Sequence, residues 1–499
     1  MNTHSKSPVP RRVLHVLGVS WPHLNGYTIR SRNLIEAQAS SGLSSPAVAT
    51  SPFYPGNSAA IHDEHFNGIH YRRVPHPVDD ENIVPPLDWV AGGLHSLARW
   101  SAIMGKRFAA TNPDGTSRHQ PENAKPGGTA QLPEGHTKPA PRGVGRRFAA
   151  RLWASRPAVR ERLEDLENEL LMRRFRRHLS AIVASEGSGL VHVHSPYKVA
   201  LPAIDAARRA GIPVVYEVRG IWEESAVSSG YFERHDRRYR RWRAAETGAM
   251  READAVVCIC ETLKAEVVSR GIPEEKVFVV PNAVGEDLLD IASKNTNQML
   301  SEHAGIQKTR HHLRPFVMGY VGSVRPMEGI EELVRAGAEL ARRGRDVSVL
   351  VVGDGDTGPL KELATDFGIE DRLLLTGKVP HDHIAAYYSL IDVFVVSRPD
   401  EPVTRMVTPL KPLEAMAFGR AIVVSDLPAL REIVINGETG LVYPAGNPGA
   451  LADACERLLS DPAERQRLAD RGRRWVMRNR RWSSVVQGYD RVYAAVGCG

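Results

Sequence analysis

Cysteine is scarce in this chain, with four among 499 residues, too few for a disulfide framework. Aromatics make up only 6%, and no window approaches the ~20 consecutive apolar residues that a membrane span needs. Any membrane contact is therefore expected to be peripheral. Met1 to Arg12 lacks the basic, apolar and small-residue regions of a signal peptide. Cytoplasmic residence is expected, with association at the inner face of the plasma membrane left open. Neither sign of charge dominates: 65 Lys and Arg face 58 Asp and Glu, a formal +7. The excess sits in arginine clusters, Arg173, Arg174, Arg176 and Arg177, then Arg234 to Arg243, which also carries Tyr239 and Trp242. Such clusters suit phosphates or acidic lipid, or form a solvated face. No nucleic-acid-binding module accompanies them, so nucleic acid is not an expected partner.

What is present is ordinary for a large globular protein, with 42% hydrophobic and 25% charged residues. The length favours two or three domains. Arg12 to Gly18 is a buried-strand run, followed by a loop with Pro22, Asn25 and Gly26, then helix-like spacing from Tyr27 to Ser41. From about Ser101 to Arg146 large apolar residues nearly vanish, and most of this stretch (about 110–146) reads as a disordered insertion. The similar pentads Lys106–Ala110 and Arg146–Ala150 flank it. Alternation of strand and helix resumes from Pro157 to Val280, and 291–314 reads as a polar linker. Strands are expected at Phe316–Val321, Val347–Val352, Leu373–Thr376, Val393–Val396 and Ala421–Val424. Both halves therefore predict doubly wound, mainly parallel α/β domains with a ligand crevice between them. The N-terminal domain is expected over 1–290 and the C-terminal one over 315–480, with a final helix in 481–499 packing back towards the N-terminal domain. Cys258 and Cys260 alternate on one strand and read as small buried hydrophobes.

The strongest local signal is Thr408 to Gly419, TPLKPLEAMAFG. Pro409 and Pro412 shape an irregular loop, and a helix begins near Leu413. A helix start is a natural anion site, and Lys411 adds a positive charge beside it. Glu414 either complements the helix dipole or accepts hydrogen bonds from ribose hydroxyls. Gly353-Asp354-Gly355-Asp356 contains an Asp-X-Asp string, but in a turn whose glycines suit close backbone approach. No metal is expected there. Arg219 lies in Tyr216–Glu224 and cannot act as a base. Glu217, Glu223 and Glu224 are near enough in sequence to pair with it.

From Val317 to Tyr493 the chain resembles the retaining family 4 glycosyltransferases of the GT-B fold. The matching segments are Gly319–Ser323, Leu350–Gly355, Leu375–Val379, Pro412–Gly419 and Glu432–Val442. The N-terminal half is similar more loosely, through Gly26, His192–His194 and Val279–Asn282. The resemblance implies an α/β GT-B fold, with two Rossmann-like domains facing each other across a cleft. It implies sugar transfer from a nucleoside-diphosphate sugar to a glycan or lipid-linked hydroxyl, with retention of configuration. The sugar nucleotide is a co-substrate, and no cofactor or metal is implied.

Position by position, Glu414 matches the family's ribose-binding glutamate. Where the paired acid that contacts the sugar is expected stands Met406, and Glu401 is the nearest upstream acid. Ser323 and Glu328 occupy the usual positions of the arginine and lysine that clamp the diphosphate. Arg325 is the expected substitute, with Lys411 as the second cation. Gly322, Ser323, Gly353, Gly355 and Val379 line the implied nucleotide site, and Thr408 and Leu410 lead into the lysine. Gly26 allows close approach to the transferring sugar or its phosphate. His194 is placed towards the acceptor. Arg219 stands where many members have a histidine, facing the acceptor or the leaving phosphate. Arg219, Arg325 and Lys411 are thus the groups expected to stabilise the reaction's charge. Two other readings stay open: a nucleotide-sugar 2-epimerase of the same architecture, and a non-catalytic nucleotide-sugar-binding subunit.

Overall fold

The computed structural model describes residues 11–21, 23, 26–53, 63–75, 157–293 and 304–497. The expected insertion, its two flanking pentads and residues 294–303 of the linker lie outside them. Two sheets organise the described residues. The first has eight strands: β1 Arg11–Leu17, β2 Ser44–Thr50, β3 Asp63–Phe66, β4 Ile69–Arg73, β5 Leu190–His194, β6 Val214–Val218, β7 Ala255–Cys258 and β8 Val277–Val279. Their order is β3-β4-β2-β1-β5-β6-β7-β8, parallel except for the β3–β4 pair. The second has six: β9 Phe316–Val321, β10 Val347–Val352, β11 Leu373–Leu375, β12 Val393–Val396, β13 Ala421–Ser425 and β14 Leu441–Tyr443. Their order is β11-β10-β9-β12-β13-β14, all parallel.

The inner strands read as continuous apolar runs because helices cover both faces of a parallel sheet. β9, β10, β12 and β13 are buried along their whole lengths, as the sequence predicts. Strands β2, β3, β4 and β14 and the helix Trp222–Ser228 were not evident from the sequence. The nominal linker contains a helix, Ala304–His311. Both sheets belong to one compact unit, Met1–Ser51, Ile61–Val74 and Arg176–Gly499. In the second unit, Pro52–Ala60 and Pro75–Phe175, the described regular structure is the beginning of the helix Pro157–Glu186.

After Arg480 the chain returns to the first sheet. Val284 donates its N–H to the Arg480 carbonyl at 2.8 Å. Trp482, Val486, Tyr489 and Tyr493 then pack with Val13, Leu190, Val215 and Val257. Each sheet has a switch in strand order, between β1 and β5 in the first and between β9 and β12 in the second. Crevices for ligands open at the carboxyl ends of strands at such points.

Candidate active site

At the carboxyl ends of β9, β10 and β11 three loops are laced together through backbone. Gly322 N–H reaches Val352 O at 2.8 Å, Val324 N–H reaches Asp354 O at 2.8 Å, and Gly353 N–H reaches Gly377 O at 3.1 Å. The approach leaves no room for side chains. A Cβ on Gly353 (φ +140°) would lie 2.0 Å from Gly322 O, and one on Gly322 (φ +150°) would lie 2.1 Å from Lys411 Cε. Gly355 is constrained likewise, by Val324 O at 2.2 Å. These glycines therefore bring Lys411 against the end of β9.

Lys411 is the first residue of a helix of only seven residues, Lys411–Ala417, so its own charge outweighs the helix dipole as an anion attractor. It is not a free cation. Its Nζ lies 2.9 Å from Glu328 Oε1 and 5.4 Å from the centre of the Tyr320 ring. Arg398 holds the same carboxylate from the other side, Nη2 to Oε1 at 3.0 Å and Nε to Oε2 at 3.2 Å. It also donates to Val407 O. Burial alone would raise the Glu328 pKa, but Arg398 and then Lys411 hold it well below the usual carboxylate range. Glu328 is thus ionised, and the cluster of two cations and one anion carries a net +1. In the sequence Glu328 shows only as an acid where a lysine is expected. Its partnership with Arg398 spans 70 residues and left no local signal.

Glu414, one turn into the helix, accepts from Tyr388 OH at 2.9 Å. With Leu410 and Phe418 it lines a cavity whose other side carries Ile29, Arg30 and Asn33 from the helix Gly26–Ser40. Thr408 is buried, and its carbonyl accepts from Asn282 Nδ2 at 2.9 Å, tying the two lobes. Val379 packs on the second core, while Ser323 and Arg325 are exposed. Among the described residues Arg325 makes no ion pair, which leaves it available to a ligand. Glu401 is engaged locally, where it begins the helix Pro402–Met406 and forms a capping box with Thr404. That geometry does not direct it to a donor sugar.

In the first lobe two expectations need correction. His194 is fully buried, so it has no direct route to an acceptor hydroxyl. Arg219, with a side chain 6% exposed, uses its donors inside the protein. Nε donates to Glu217 Oε1 at 2.8 Å, Nη1 to Ser31 Oγ at 2.6 Å and Tyr27 O at 3.2 Å, and Nη2 to His194 Nδ1 at 2.6 Å. The guanidinium also stacks over the Tyr27 ring, 4.7 Å from its centre. Arg219 therefore fastens the first turn of the helix that opens at Gly26. Gly26 itself is exposed, and a Cβ there would meet nothing within 4 Å. Of the nearby acids, Glu217 takes Arg219, Glu223 pairs with Arg270 at 2.7 Å, and Glu224 with Arg234 at 2.9 Å.

His15 of β1 and His192 and His194 of β5 bring ring nitrogens within 4.8 Å of one another. Burial is the first cause lowering all three pKa values. It is reinforced by His192 at His15 and by the Arg219 charge at His194, and opposed by the Glu217 carboxylate at His192; the net lowering favours the neutral rings. As a metal cluster they are poorly placed. A guanidinium already faces His194 Nδ1, and His15 Nδ1 is bonded to His194 Nε2 at 3.1 Å. Cys258 and Cys260 are buried, and Cys260 Sγ contacts Met406 O. In the Asp-X-Asp turn, Asp356 accepts from Gly358 N–H at 3.0 Å, a local turn contact.

Comparisons with known proteins bear on the family and the fold. The family model described as glycosyl transferases group 1 matches residues 303–475, and the one described as glycosyltransferase family 4 matches residues 123–288. An alpha-D-kanosaminyltransferase of Streptomyces kanamyceticus is 30% identical over 302 residues, 60% of this chain and 73% of that protein. A 2-deoxystreptamine glucosyltransferase of the same organism is 28% identical over 235 residues, 47% of this chain and 58% of that protein. A capsular polysaccharide biosynthesis glycosyltransferase of Staphylococcus aureus is 26% identical over 268 residues, covering 52% and 65%. Among solved structures, a sucrose-phosphate synthase from Thermosynechococcus elongatus superposes with a TM-score of 0.64 at 18% identity, covering 98% of this chain and 99% of that one. Anabaena HepE in complex with UDP-glucose gives 0.59 at 14%, covering 97% and 99%. At these identities the two structures bear on the fold alone.

Proposed function

Because the chain belongs to the family 4 glycosyltransferases, we propose that it moves a sugar from a nucleoside-diphosphate sugar to a hydroxyl of a glycan or lipid-linked acceptor, with retention of configuration. The observation that carries this reading is the pairing of Lys411 and Glu414 on the first turn of one helix, beside the laced glycine loops of β9 and β10. In this reading Glu414 accepts from ribose hydroxyls, and Lys411 and exposed Arg325 hold the diphosphate. No step asks a protein side chain to attack the sugar. The leaving phosphate oxygen takes the acceptor's proton while the cations carry the developing charge, so the proposed chemistry requires no divalent metal.

A curated relative named for capsular polysaccharide biosynthesis supports the glycan acceptor. Peripheral contact with an anionic membrane is proposed through exposed Tyr231, Arg237, Arg240 and Arg241. Tyr239 and Trp242, the aromatics of the same cluster, face inward, towards Glu224 and Phe232. No helix among the described residues is long and apolar enough to cross a membrane. Flotation with anionic liposomes, lost on raising salt, is the expected behaviour.

A thermal-shift screen of UDP-, GDP- and ADP-sugars tests the donor assignment, since a ligand of the native state raises its stability. Glu414→Ala is expected to weaken the responding donor by roughly 10- to 150-fold, the loss of about 1.5–3 kcal/mol of charged hydrogen bonding. Unchanged donor affinity in a folded Glu414→Ala protein would sink the reading.

A further inference from the structure

The buried polar groups behind Arg219 form a closed circuit whose proton positions can be deduced. Arg219 only donates, so His194 Nδ1, 2.6 Å from its Nη2, must be bare. A neutral His194 then carries its proton on Nε2 and gives it to His15 Nδ1 at 3.1 Å. His15 in turn donates from Nε2 to Gln38 Oε1 at 3.1 Å. The Gln38 amide nitrogen donates to Tyr493 OH at 2.9 Å. On the far side His192 Nε2 lies 3.2 Å from Glu217 Oε2, outside hydrogen-bond geometry; a proton on that nitrogen is the one the facing carboxylate favours, which leaves Nδ1 bare. Tyr493 OH lies 2.9 Å from His192 Nδ1 and 3.2 Å from Gln38 Oε1. Because Gln38 Oε1 already accepts from His15 Nε2 and Ser44 Oγ, the hydroxyl donates to the bare Nδ1 and completes the circuit. Glu217 closes back on Arg219, and Arg30 and Tyr489 also donate to it. These neighbours assign all three imidazoles to the same tautomer, with hydrogen on Nε2.

We propose that this circuit is a positioning device for the proposed transfer reaction, in which Tyr489 and Tyr493 of the C-terminal helix Gly488–Ala495 hold Glu217 and Arg219 and thereby set the Gly26–Tyr27 turn against the donor. Among the described residues, the circuit's outlet towards the cleft is Arg219, which grips Tyr27 O, Ser31 Oγ and the Tyr27 ring. Tyr27 OH in turn accepts from Gly18 N–H at 3.2 Å, closing the loop after β1. A chain segment more than 450 positions from Gln38 thus becomes a supporting part of the site. In this arrangement the Tyr493 hydroxyl is the partner that keeps His192 Nδ1 bare, and removing it frees that ring to turn its tautomer round. The groups facing His192 are Glu217, Arg219, Arg30, His15, His194, Tyr489 and Tyr493.

The inference rests on the donor lying at Gly26, so its test has arms that do not need turnover. Tyr493→Phe and Tyr489→Phe keep the ring volume and each delete one donor. Histidine-selective 15N spectra of the full chain are expected to show three buried Nε2–H imidazoles, and Tyr493→Phe to move the His192 signals. Hydrogen exchange at Thr28 to Ser31 is expected to quicken in both variants. Their kcat is expected to fall on the order of 10-fold or more, with acceptor KM unchanged, as misplacement of a reacting group does. A lower melting temperature with wild-type kcat would mean that the circuit only stabilises the fold, and would overturn the proposal. So would unchanged spectra and exchange. If no nucleotide sugar binds the parent protein, the donor reading fails instead, and the spectra and exchange still decide whether the tyrosines control the Gly26–Tyr27 turn.

Discussion

Replacing Glu328 by glutamine tests the charge balance beside Lys411. The carboxylate is 3% exposed, and its two cations stand 2.9 and 3.0 Å away. At an effective dielectric of about 20 each contact represents about 5–6 kcal/mol of gross attraction, most of it offset by desolvation of the ions. The net loss on breaking a buried pair is about 3–5 kcal/mol. Glu328→Gln is therefore expected to unfold at clearly lower denaturant. Ligand binding is expected to move the other way. A phosphate oxygen about 3 Å from Lys411 Nζ, opposite Glu328, would sit about 6 Å from the carboxylate; removing that repulsion yields about 0.7 kcal/mol at a dielectric of 80 and about 3 kcal/mol at 20. The folded variant should bind a nucleoside diphosphate roughly 3- to 150-fold more tightly, with product release slowed. Calorimetric titration with the diphosphate, and with the uncharged nucleoside as control, reads this directly. The reasoning is refuted if the diphosphate binds no better in the variant, or if the nucleoside gains equally.

Three further outcomes follow from buried or crowded positions. Burial raises the Glu246 pKa from 4.5 to about 7, against the lowering effect of hydrogen bonds from Tyr216 OH and Tyr197 N–H. The folded state therefore holds this proton more tightly, and its stabilising contribution, full below pH ~4.5, is lost as pH rises through about 7. The gap is worth about 3 kcal/mol; Glu246→Gln should remove that slope from denaturation curves between pH 4.5 and 7. Gly353→Ala places a Cβ 2.0 Å from Gly322 O, and is expected to cost at least about 1–3 kcal/mol of strain and to raise donor KM. Glu432 of the second lobe accepts from Glu261 N–H at 2.9 Å and Thr262 N–H at 2.8 Å, at the start of the first lobe's helix Glu261–Ser269. Glu432→Ala should cost about 1–2 kcal/mol, as loss of a helix cap does, and quicken hydrogen exchange in that helix's first turn.

The second lobe was the more legible in sequence. Its inner strands are unbroken apolar runs buried on both faces, so composition marks them to within a residue, as for Phe316–Val321 and Val347–Val352. Strands β3 and β4, reading DEHF and IHYRR, sit at a sheet edge where one face stays polar and apolar content gives no signal. β14 has three residues, too few for a pattern. Within the site, local chemistry was readable and its partners were not. Lys411 and Glu414 declared themselves through residue type beside two prolines. Arg219 was noticed as a residue type, but the destination of its donors depends on Tyr27, Ser31 and His194, which only the fold brings together.

Both cation clusters follow the same arithmetic. Lys411 and Arg398 share Glu328, and Arg219 and Arg30 share Glu217. In each, one buried carboxylate offsets two cations and leaves a net +1. Two buried cations without it would suffer desolvation and mutual repulsion in the empty protein. The shared carboxylate removes most of that cost and fixes both side chains before a ligand arrives. It also limits grip. On the proposed function, a diphosphate leaving group would carry more negative charge than the +1 at Lys411 balances, and exposed Arg325 would supply part of the remainder. Cations that bound donor and product equally tightly would lower KM without raising kcat. A half-neutralised clamp gives up some ground-state affinity, and Glu328→Gln measures how much of that restraint turnover depends on.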